Sequence, residues 1–134
     1  MKKLIVVHFL LFTSAMAVAQ DIEREISSCW ESAVTTAEMR GCAQKASELW
    51  NKELDHYYNH LLDKLPNAQD EVFRNSQNKW IEFRDREFEM INTIYYQMKR
   101  GTMWWVEADI RRAKIIENRA LELQDYYEVL MDGE

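Results

Sequence analysis

Two histidines, His56 and His60, stand four residues apart and are the first candidates for chemistry in this chain. On a helix this spacing places both imidazole rings on one face, where they could reach a single metal ion. Asp55, Asp63 and Glu53 lie close by in the sequence as further oxygen ligands. The catalytic zinc signature His-Glu-x-x-His is absent, however, and two histidines at helical spacing often arise by chance. We therefore expect solvent-exposed histidines and assign no metal, with a metal site as the alternative.

The remaining polar residues form no recognisable catalytic set. Acids such as Glu82, Asp85 and Glu89 follow charged helix faces, whereas glycosidic chemistry needs two acids across a cleft. No serine stands in a nucleophile turn. The chain has three glycines, and no two are close enough to form a phosphate-binding loop. We therefore expect a binding protein without a cofactor rather than an enzyme.

The N-terminus has the pattern of a secretory signal peptide. Lys2 and Lys3 precede a short apolar run, and Ala17-Val18-Ala19 supplies the small residues that signal cleavage requires. The apolar run is too short to cross a membrane as a helix. We predict a signal peptide over residues 1–19 and a single mature domain over residues 20–134, located in the periplasm or secreted. Cleavage two residues earlier is the alternative.

The net charge of the predicted mature chain indicates which class of partner the protein can bind. Removal of the predicted signal peptide deletes two lysines and no acids, which leaves 15 basic and 23 acidic residues and a net charge of −8. Such a chain is repelled by nucleic acid and by anionic lipid, and it attracts cationic partners at rates that fall with salt. We therefore expect a protein partner, with neither nucleic-acid binding nor membrane insertion after cleavage.

Cys29 and Cys42 are the only cysteines, and both remain in the predicted mature chain. In an oxidising compartment a pair at this spacing most simply forms one disulfide. A redox-active pair is the alternative, although such cysteines are usually separated by two residues rather than twelve. We predict a structural disulfide.

Helical periodicity runs through almost the whole mature chain. A short helix is predicted from Asp21 to about Ser28. Thr35 and Glu38 then form a capping box, in which each side chain satisfies a backbone donor at a helix start. The first long helix begins there and ends before Pro66, the only proline of the chain.

Two further long helices follow. The second is predicted from Ala68 to Arg100, with Gly101 just past its end, and Thr102 is predicted to cap the third. We predict an all-α fold, an up-and-down bundle of three long helices with a short N-terminal helix tied by the disulfide. The apolar stripes of the second and third long helices are expected to face the core: Val72, Phe73, Trp80, Phe83, Ile91, Ile94, Tyr95 and Met98, then Trp105, Ala108, Ile115, Ile116, Leu123, Tyr126, Tyr127 and Leu130.

The most distinctive string is Gln-Asn-Lys-Trp-Ile-Glu-Phe-Arg-Asp, which begins at Gln77. Trp80 and Arg84 are four residues apart, so the guanidinium can lie over the indole face. We expect Trp80 to fill the core while Arg84 pairs with an acid of the first long helix, Asp55 or Glu53. A recognition patch is the alternative, because tryptophan and arginine carry much of the energy of protein interfaces.

Adjacent aromatic residues are the other unusual feature. Trp104 and Trp105 point about 100° apart on a helix and cannot both face one narrow stripe. The tyrosine doublets raise the same difficulty. Some of these rings lie either at the wet edge of a wide core or in an exposed surface that binds a partner.

Together these features resemble the LprI-type lysozyme inhibitor family, small exported bacterial helical proteins. The resemblance extends from Cys29 to Leu123, and its most specific part is the string that begins at Gln77. The family-motif positions, structural or binding, are Thr35, Glu38, Asp55, Tyr58, Gln77, Trp80, Arg84 and Asp85, and among them Asp55 departs from the family pattern because it and Asn51 stand exchanged. The chain departs from the family at Phe88, where a further cysteine is usual, and no partner cysteine is present near Arg111.

The resemblance implies an exported binding protein that inhibits a lysozyme or a related peptidoglycan-cleaving enzyme by protein–protein contact. An acidic protein is steered toward a cationic lysozyme. We expect the contact near the loop between the second and third long helices. The candidate contact residues are Arg100, Gly101, Thr102, Trp104 and Trp105. An envelope interaction or immunity module with another partner is the alternative, because a fold does not fix a function.

Overall fold

The structure is a computed structural model that describes the backbone of residues 12–132 and the side chains of residues 16–132. The basic head of the predicted signal peptide lies outside the described residues. Every regular element within the described range is helical. The helices are α1 (Phe12–Ser32), α2 (Thr36–Lys64), α3 (Asn67–Ile91), a π-helical segment (Asn92–Met98) and α4 (Met103–Met131).

Contacts between the helices define an up-and-down arrangement. Arg40 pairs with Asp109, and the rings of Tyr57 and Tyr127 lie 5.8 Å apart, so α2 and α4 run parallel. α3 runs antiparallel to both of them, as α1 does to α2. The predicted bundle of long helices is therefore confirmed in its main features, with α2 and α4 sharing the largest interface.

The core lies between α2 and α4. Both helices bury alanines, including Ala43 and Ala46 of α2 and Ala108 of α4. Small side chains allow two helix backbones to approach closely. Larger side chains fill the space that remains, and they come from all four α-helices: Ile22, Trp50, Leu54, Tyr57, Leu61, Phe73, Ile116 and Leu123.

The start of α2 follows the predicted capping box. Thr35 Oγ1 accepts a hydrogen bond from the backbone N–H of Glu38, and Glu38 Oε2 accepts one from the N–H of Thr35. The Glu38 carboxylate also accepts from the N–H of Val34. The bonds from the backbone of Thr35 and Val34 lower the pKa of Glu38 below its ordinary value, because they favour the charged form.

The disulfide is also present. Cys29 and Cys42 are joined with their Cα atoms 5.6 Å apart, which ties the C-terminal part of α1 to the first turns of α2. An ion pair of 2.7 Å between Lys45 and Glu25 holds the same two helices one turn further along.

Three predicted features of the helices are wrong. α1 is longer than the predicted short helix and extends through the predicted cleavage site. The second long helix does not continue as an α-helix to Arg100, because its last part is the π-helical segment, in which hydrogen bonds span five residues. Thr102 precedes α4 but makes no side-chain cap, because its backbone is already in the helical region.

Part of the predicted apolar stripe is exposed. Val72 is 71% exposed and Phe83 is 53% exposed, and Tyr126 of α4 also lies open to solvent. α3 packs mainly along the line of Phe73 and Gln77, and Val72 and Phe83 point away from that line. An apolar residue on the surface is common in small proteins.

The disulfide is expected to contribute about 3 kcal/mol to the free energy of unfolding, because it joins two cysteines that are 13 positions apart in the sequence. The double substitution Cys29→Ser with Cys42→Ser should therefore lower the urea midpoint. Reduction of the unmodified protein should produce a matching loss. An unchanged midpoint in both experiments would contradict a stabilising role.

The buried phenol of Tyr57 is expected to make the folded protein less stable at high pH. Burial, with the nearby charges of Glu53 and Glu128, raises the pKa of this phenol to about 12. The unfolded chain ionises near pH 10. The neutral phenol therefore stabilises the fold fully below pH 10, and this contribution is lost as the pH rises toward 12.

Urea unfolding between pH 9 and 11.5 measures this contribution against the variant Tyr57→Phe. The free energy of unfolding of the unmodified protein should fall by about 2 kcal/mol more than that of the variant. Parallel losses in the two proteins would show that Tyr57 is not responsible.

Candidate functional site

One end of the bundle gathers most of the residues for which the sequence suggested a contact role. We call it the Gly101 end, and it comprises residues 36–44 of α2, the π-helical segment, the loop 99–102 and residues 103–112 of α4. Gly101 has a φ angle of +104°, a conformation that glycine adopts without strain. The chain turns there from the π-helical segment into α4, as the predicted position of Gly101 required.

A buried carboxylate organises this end. Asp109 is only 5% exposed and accepts three hydrogen bonds from side chains on different segments. Arg40 Nε donates to Oδ2 over 2.7 Å, Arg112 donates to Oδ1 over 2.9 Å, and the hydroxyl of Tyr96 donates to Oδ1 over 3.3 Å. Because a buried charge is costly unless it is paired, these donors fix one another's positions. The network joins α2, the π-helical segment and α4.

The two arginines of the network also contact aromatic rings. Arg40 donates to the hydroxyl of Tyr96 over 3.0 Å and lies 5.7 Å from the ring centre of Trp105. The hydrogen bond to Asp109 raises the pKa of Arg40 above its ordinary value. Arg112 donates to Asn92 and lies 5.4 Å from the ring of Tyr96. The rings of Tyr96 and Trp105 stack at 5.8 Å with their planes 9° apart.

An open depression of about 400 Å³ lies beside this network. It is lined by Arg40, Asp109 and Arg112 of the network together with three further residues of α2: Gln44, Ser47 and Glu48. The walls therefore carry both charge signs together with hydroxyl and amide groups. This composition suits the polar side chains of a protein partner better than an apolar ligand.

The rim of the Gly101 end carries cations that lack carboxylate partners. Lys99 Nζ lies 5.1 Å from the ring centre of Trp104, and the Arg111 guanidinium lies 5.3 Å from that of Tyr95. Arg100 is exposed. Across residues 16–132, none of these three cations forms an ion pair, whereas most other arginines and lysines do.

The two tryptophans of the rim are partly open to solvent. Trp104 is 38% exposed and Trp105 is 36% exposed. The prediction that Trp105 faces the core is therefore wrong, because its indole stacks on Tyr96 at the bundle end. The expected contact residues of the loop, Arg100 and Gly101, are exposed beside these rings, as is Thr102. The structure thus places all five expected contact residues at one end, next to the disulfide and the capping box.

The string that begins at Gln77 lies elsewhere and fastens α3 to α4. Gln77 is buried, and its Oε1 accepts a hydrogen bond of 3.0 Å from Nε of the buried Arg119. Trp80 is half-buried against the core, with Arg84 5.5 Å and Arg119 5.9 Å from its ring centre. The predicted position of the Arg84 guanidinium over the indole is confirmed.

The expected ion pair of Arg84 with α2 is wrong. Arg84 pairs with its neighbour Asp85 over 2.7 Å, because α4 rather than α2 lies opposite this part of α3. Asp55 is exposed on α2, where its backbone carbonyl accepts from Asn59. Tyr58 lies on the same helix, with its ring centre 5.2 Å from that of Phe73.

The sequence pattern of the family described as Lysozyme inhibitor LprI matches residues 29–123. The chain belongs to this family. No significant match was found among the curated proteins or among the solved structures. No helix among the described residues is long and apolar enough to span a membrane.

The LprI match covers the disulfide, α2, α3, the loop and most of α4. Phe88, where the family usually has another cysteine, is partly buried against the core, with the guanidinium groups of Arg84 and Arg112 each within 6 Å of its ring centre. The Phe88 ring and the Arg112 side chain therefore form a contact between α3 and α4.

Sequence reasoning missed the polar network of this LprI protein. Its members, Arg40, Tyr96, Asp109 and Arg112, were not proposed as site residues, and neither was the buried Arg119, which donates to Gln77. A signal was present on α4, where Asp109, Arg112 and Arg119 occur at helical spacing with Ile116 and Leu123 on the buried face. Charged residues that continue an apolar stripe indicate buried pairing with another helix.

Asp109→Asn is expected to lower the free energy of unfolding by about 2 kcal/mol. The substitution leaves two arginines without their carboxylate, and the loss is smaller than for a fully buried pair because both arginines keep contact with water. Urea unfolding with tryptophan fluorescence measures the change.

Glu107→Gln is the matched control, since this exposed acid two residues away forms no ion pair among the described residues. It should change stability by less than about 0.5 kcal/mol. If the two substitutions changed the free energy of unfolding equally, Asp109 would act only through the net charge of the protein and not through its hydrogen bonds.

Proposed function

We propose that this protein is an exported inhibitor of a lysozyme or of a related peptidoglycan-cleaving enzyme, and that it acts by protein–protein contact. The observation that carries the proposal is the match of the LprI lysozyme inhibitor family over residues 29–123. The function requires no catalytic residue and no cofactor. Export follows from the predicted signal peptide and brings the inhibitor to the compartment where such enzymes act.

The charge of the protein supports association with a lysozyme. A predicted mature chain with a net charge of −8 attracts cationic enzymes over long range. Lysozymes cleave with a pair of carboxylic acids in a cleft. A side chain that blocks that cleft must therefore carry hydrogen-bond donors or a positive charge, although the inhibitor as a whole is acidic.

The Gly101 end meets this requirement and is our proposed contact surface. Its unpaired cations Lys99, Arg100 and Arg111 face solvent around partly exposed tryptophans, a combination typical of interface hot spots. Arg100 stands at the tip of the loop and is the proposed entering group. The Asp109 network holds the surface rigid, which reduces the entropy lost on binding.

A second candidate function is an envelope interaction or immunity module. The outer face of α3 exposes Val72, Phe83 and Met90, which a partner other than a lysozyme could cover. This candidate predicts binding through α3 and no effect on lysozyme activity.

Lysis of a peptidoglycan suspension by a panel of lysozymes tests the proposal, with the processed protein titrated at two salt concentrations. Stoichiometric inhibition should persist at about 0.15 M salt, where charges further apart than about 8 Å are largely screened. Arg100→Glu should weaken inhibition at least about tenfold, because it places an acid against the acids of the cleft.

Lys52→Glu is the matched control, since it makes the same charge change at an exposed lysine of α2 outside the Gly101 end. It should alter inhibition less than about twofold at the higher salt concentration. Absence of inhibition across the panel would overturn the proposed function. If Arg100→Glu left inhibition intact, the proposed function would stand and the proposed contact surface would be overturned.

A further inference from the structure

The histidine pair lies on α2 well away from the Gly101 end. His56 and His60 follow Arg40 by 16 and 20 residues, which corresponds to about 24–30 Å along an α-helix. Both side chains are exposed, and their ring centres are only 4.0 Å apart with the planes tilted by 39°. The two imidazoles therefore already lie side by side over the same patch of the helix surface.

A hydrogen bond fixes the tautomer of one ring. Nδ1 of His60 lies 2.8 Å from the backbone carbonyl oxygen of His56. Because a carbonyl oxygen only accepts, Nδ1 must carry the hydrogen, and in the neutral ring Nε2 then presents its lone pair to solvent. Histidines that bind metals commonly donate their other ring N–H to a carbonyl in this way.

Aromatic rings flank the pair. The ring of Tyr57 lies edge-on to that of His56, with the ring centres 5.1 Å apart. The ring of Tyr127 packs edge-on against His60 at 5.8 Å and limits its movement. Among the described residues no three potential ligands are assembled in one place. The pair therefore offers two nitrogen ligands and leaves the other coordination positions to water.

We propose that His56 and His60 form a two-nitrogen binding site for a divalent transition-metal ion of the Zn²⁺, Ni²⁺ and Cu²⁺ class. Imidazole nitrogen suits these ions, whereas Mg²⁺ and Ca²⁺ prefer oxygen ligands. The sequence alone favoured exposed histidines without a metal. The close ring pair and the fixed tautomer are the observations that point to chelation. The proposal is independent of lysozyme inhibition.

Zn²⁺ titration by calorimetry tests the site in protein prepared without a histidine tag. The full sequence contains one other histidine, His8, in the predicted signal peptide, so the imidazole proton signals of the processed protein report on the pair directly. One Zn²⁺ should bind per chain and shift the signals of both rings. Binding should also raise the melting temperature, because the unfolded chain does not hold the two rings together.

The decisive variant keeps the number of histidines and changes only their spacing. His56→Gln combined with Asn59→His places two adjacent imidazoles about 100° apart on the helix, where they cannot chelate one ion. Zn²⁺ affinity should fall at least about tenfold, as it should in His60→Gln, because the second ligand no longer acts at high effective concentration. Equal affinity of the spacing variant and the unmodified protein, or no binding by either, would overturn the site.

Discussion

The burial of one carboxylate, Asp109, determines how the Gly101 end is built. A carboxylate that is 5% exposed must be compensated, and the compensation comes from Arg40 and Arg112, with a further hydrogen bond from Tyr96. These donors belong to α2, α4 and the π-helical segment. The network therefore sets how the three segments meet. It also places Tyr96 where Trp105 can stack on it and remain partly exposed.

The other helix interfaces differ in character, because the interface between α2 and α4 is apolar whereas the interface between α3 and α4 includes polar contacts. α2 and α4 pack through alanines and large apolar side chains, and this interface supplies most of the buried core. α3 adds Phe73 to this core and is also attached to α4 by polar and cation–aromatic contacts, chiefly those of Gln77 and Trp80 with Arg119. Gln77 and Trp80 of the distinctive string thus lie at the α3–α4 interface, whereas Phe83 of the same string is exposed.

Local signals in the sequence predicted the local features well. The capping box of Thr35 and Glu38 involves residues three apart, and the disulfide followed from the only two cysteines. The position of Gly101 after the second long helix also followed from local turn chemistry. Such features depend on neighbouring residues, so a single sequence is enough to find them.

Features that depend on which helices face each other could not be predicted. The exposure of Phe83 and the pairing of Arg84 with Asp85 follow from the position of α3 against α4, which periodicity does not specify. Prediction of the Asp109 network would have needed the alignment of α2 against α4, since Arg40 and Asp109 are 69 residues apart in the sequence. The spacing of the apolar residues also did not indicate the π-helical segment.

The charge distribution connects the structure to the proposed function. The chain is acidic as a whole, while the cations at the Gly101 end are held by aromatic rings rather than by carboxylates. Long-range attraction to a cationic enzyme and a local positive contact for its acidic cleft can therefore coexist in one small protein. The Asp109 network joins the three segments that carry the proposed contact residues, an arrangement that would reduce the entropy lost on binding.

Hydrogen exchange of the protein, free and bound to a lysozyme that it inhibits, tests the central claim most directly. The account predicts new protection of backbone amides in residues 36–44 and 92–112, with α3 unchanged. Protection confined to the outer face of α3, or to the half of α2 that carries His56 and His60, would contradict the assignment of the Gly101 end as the contact surface.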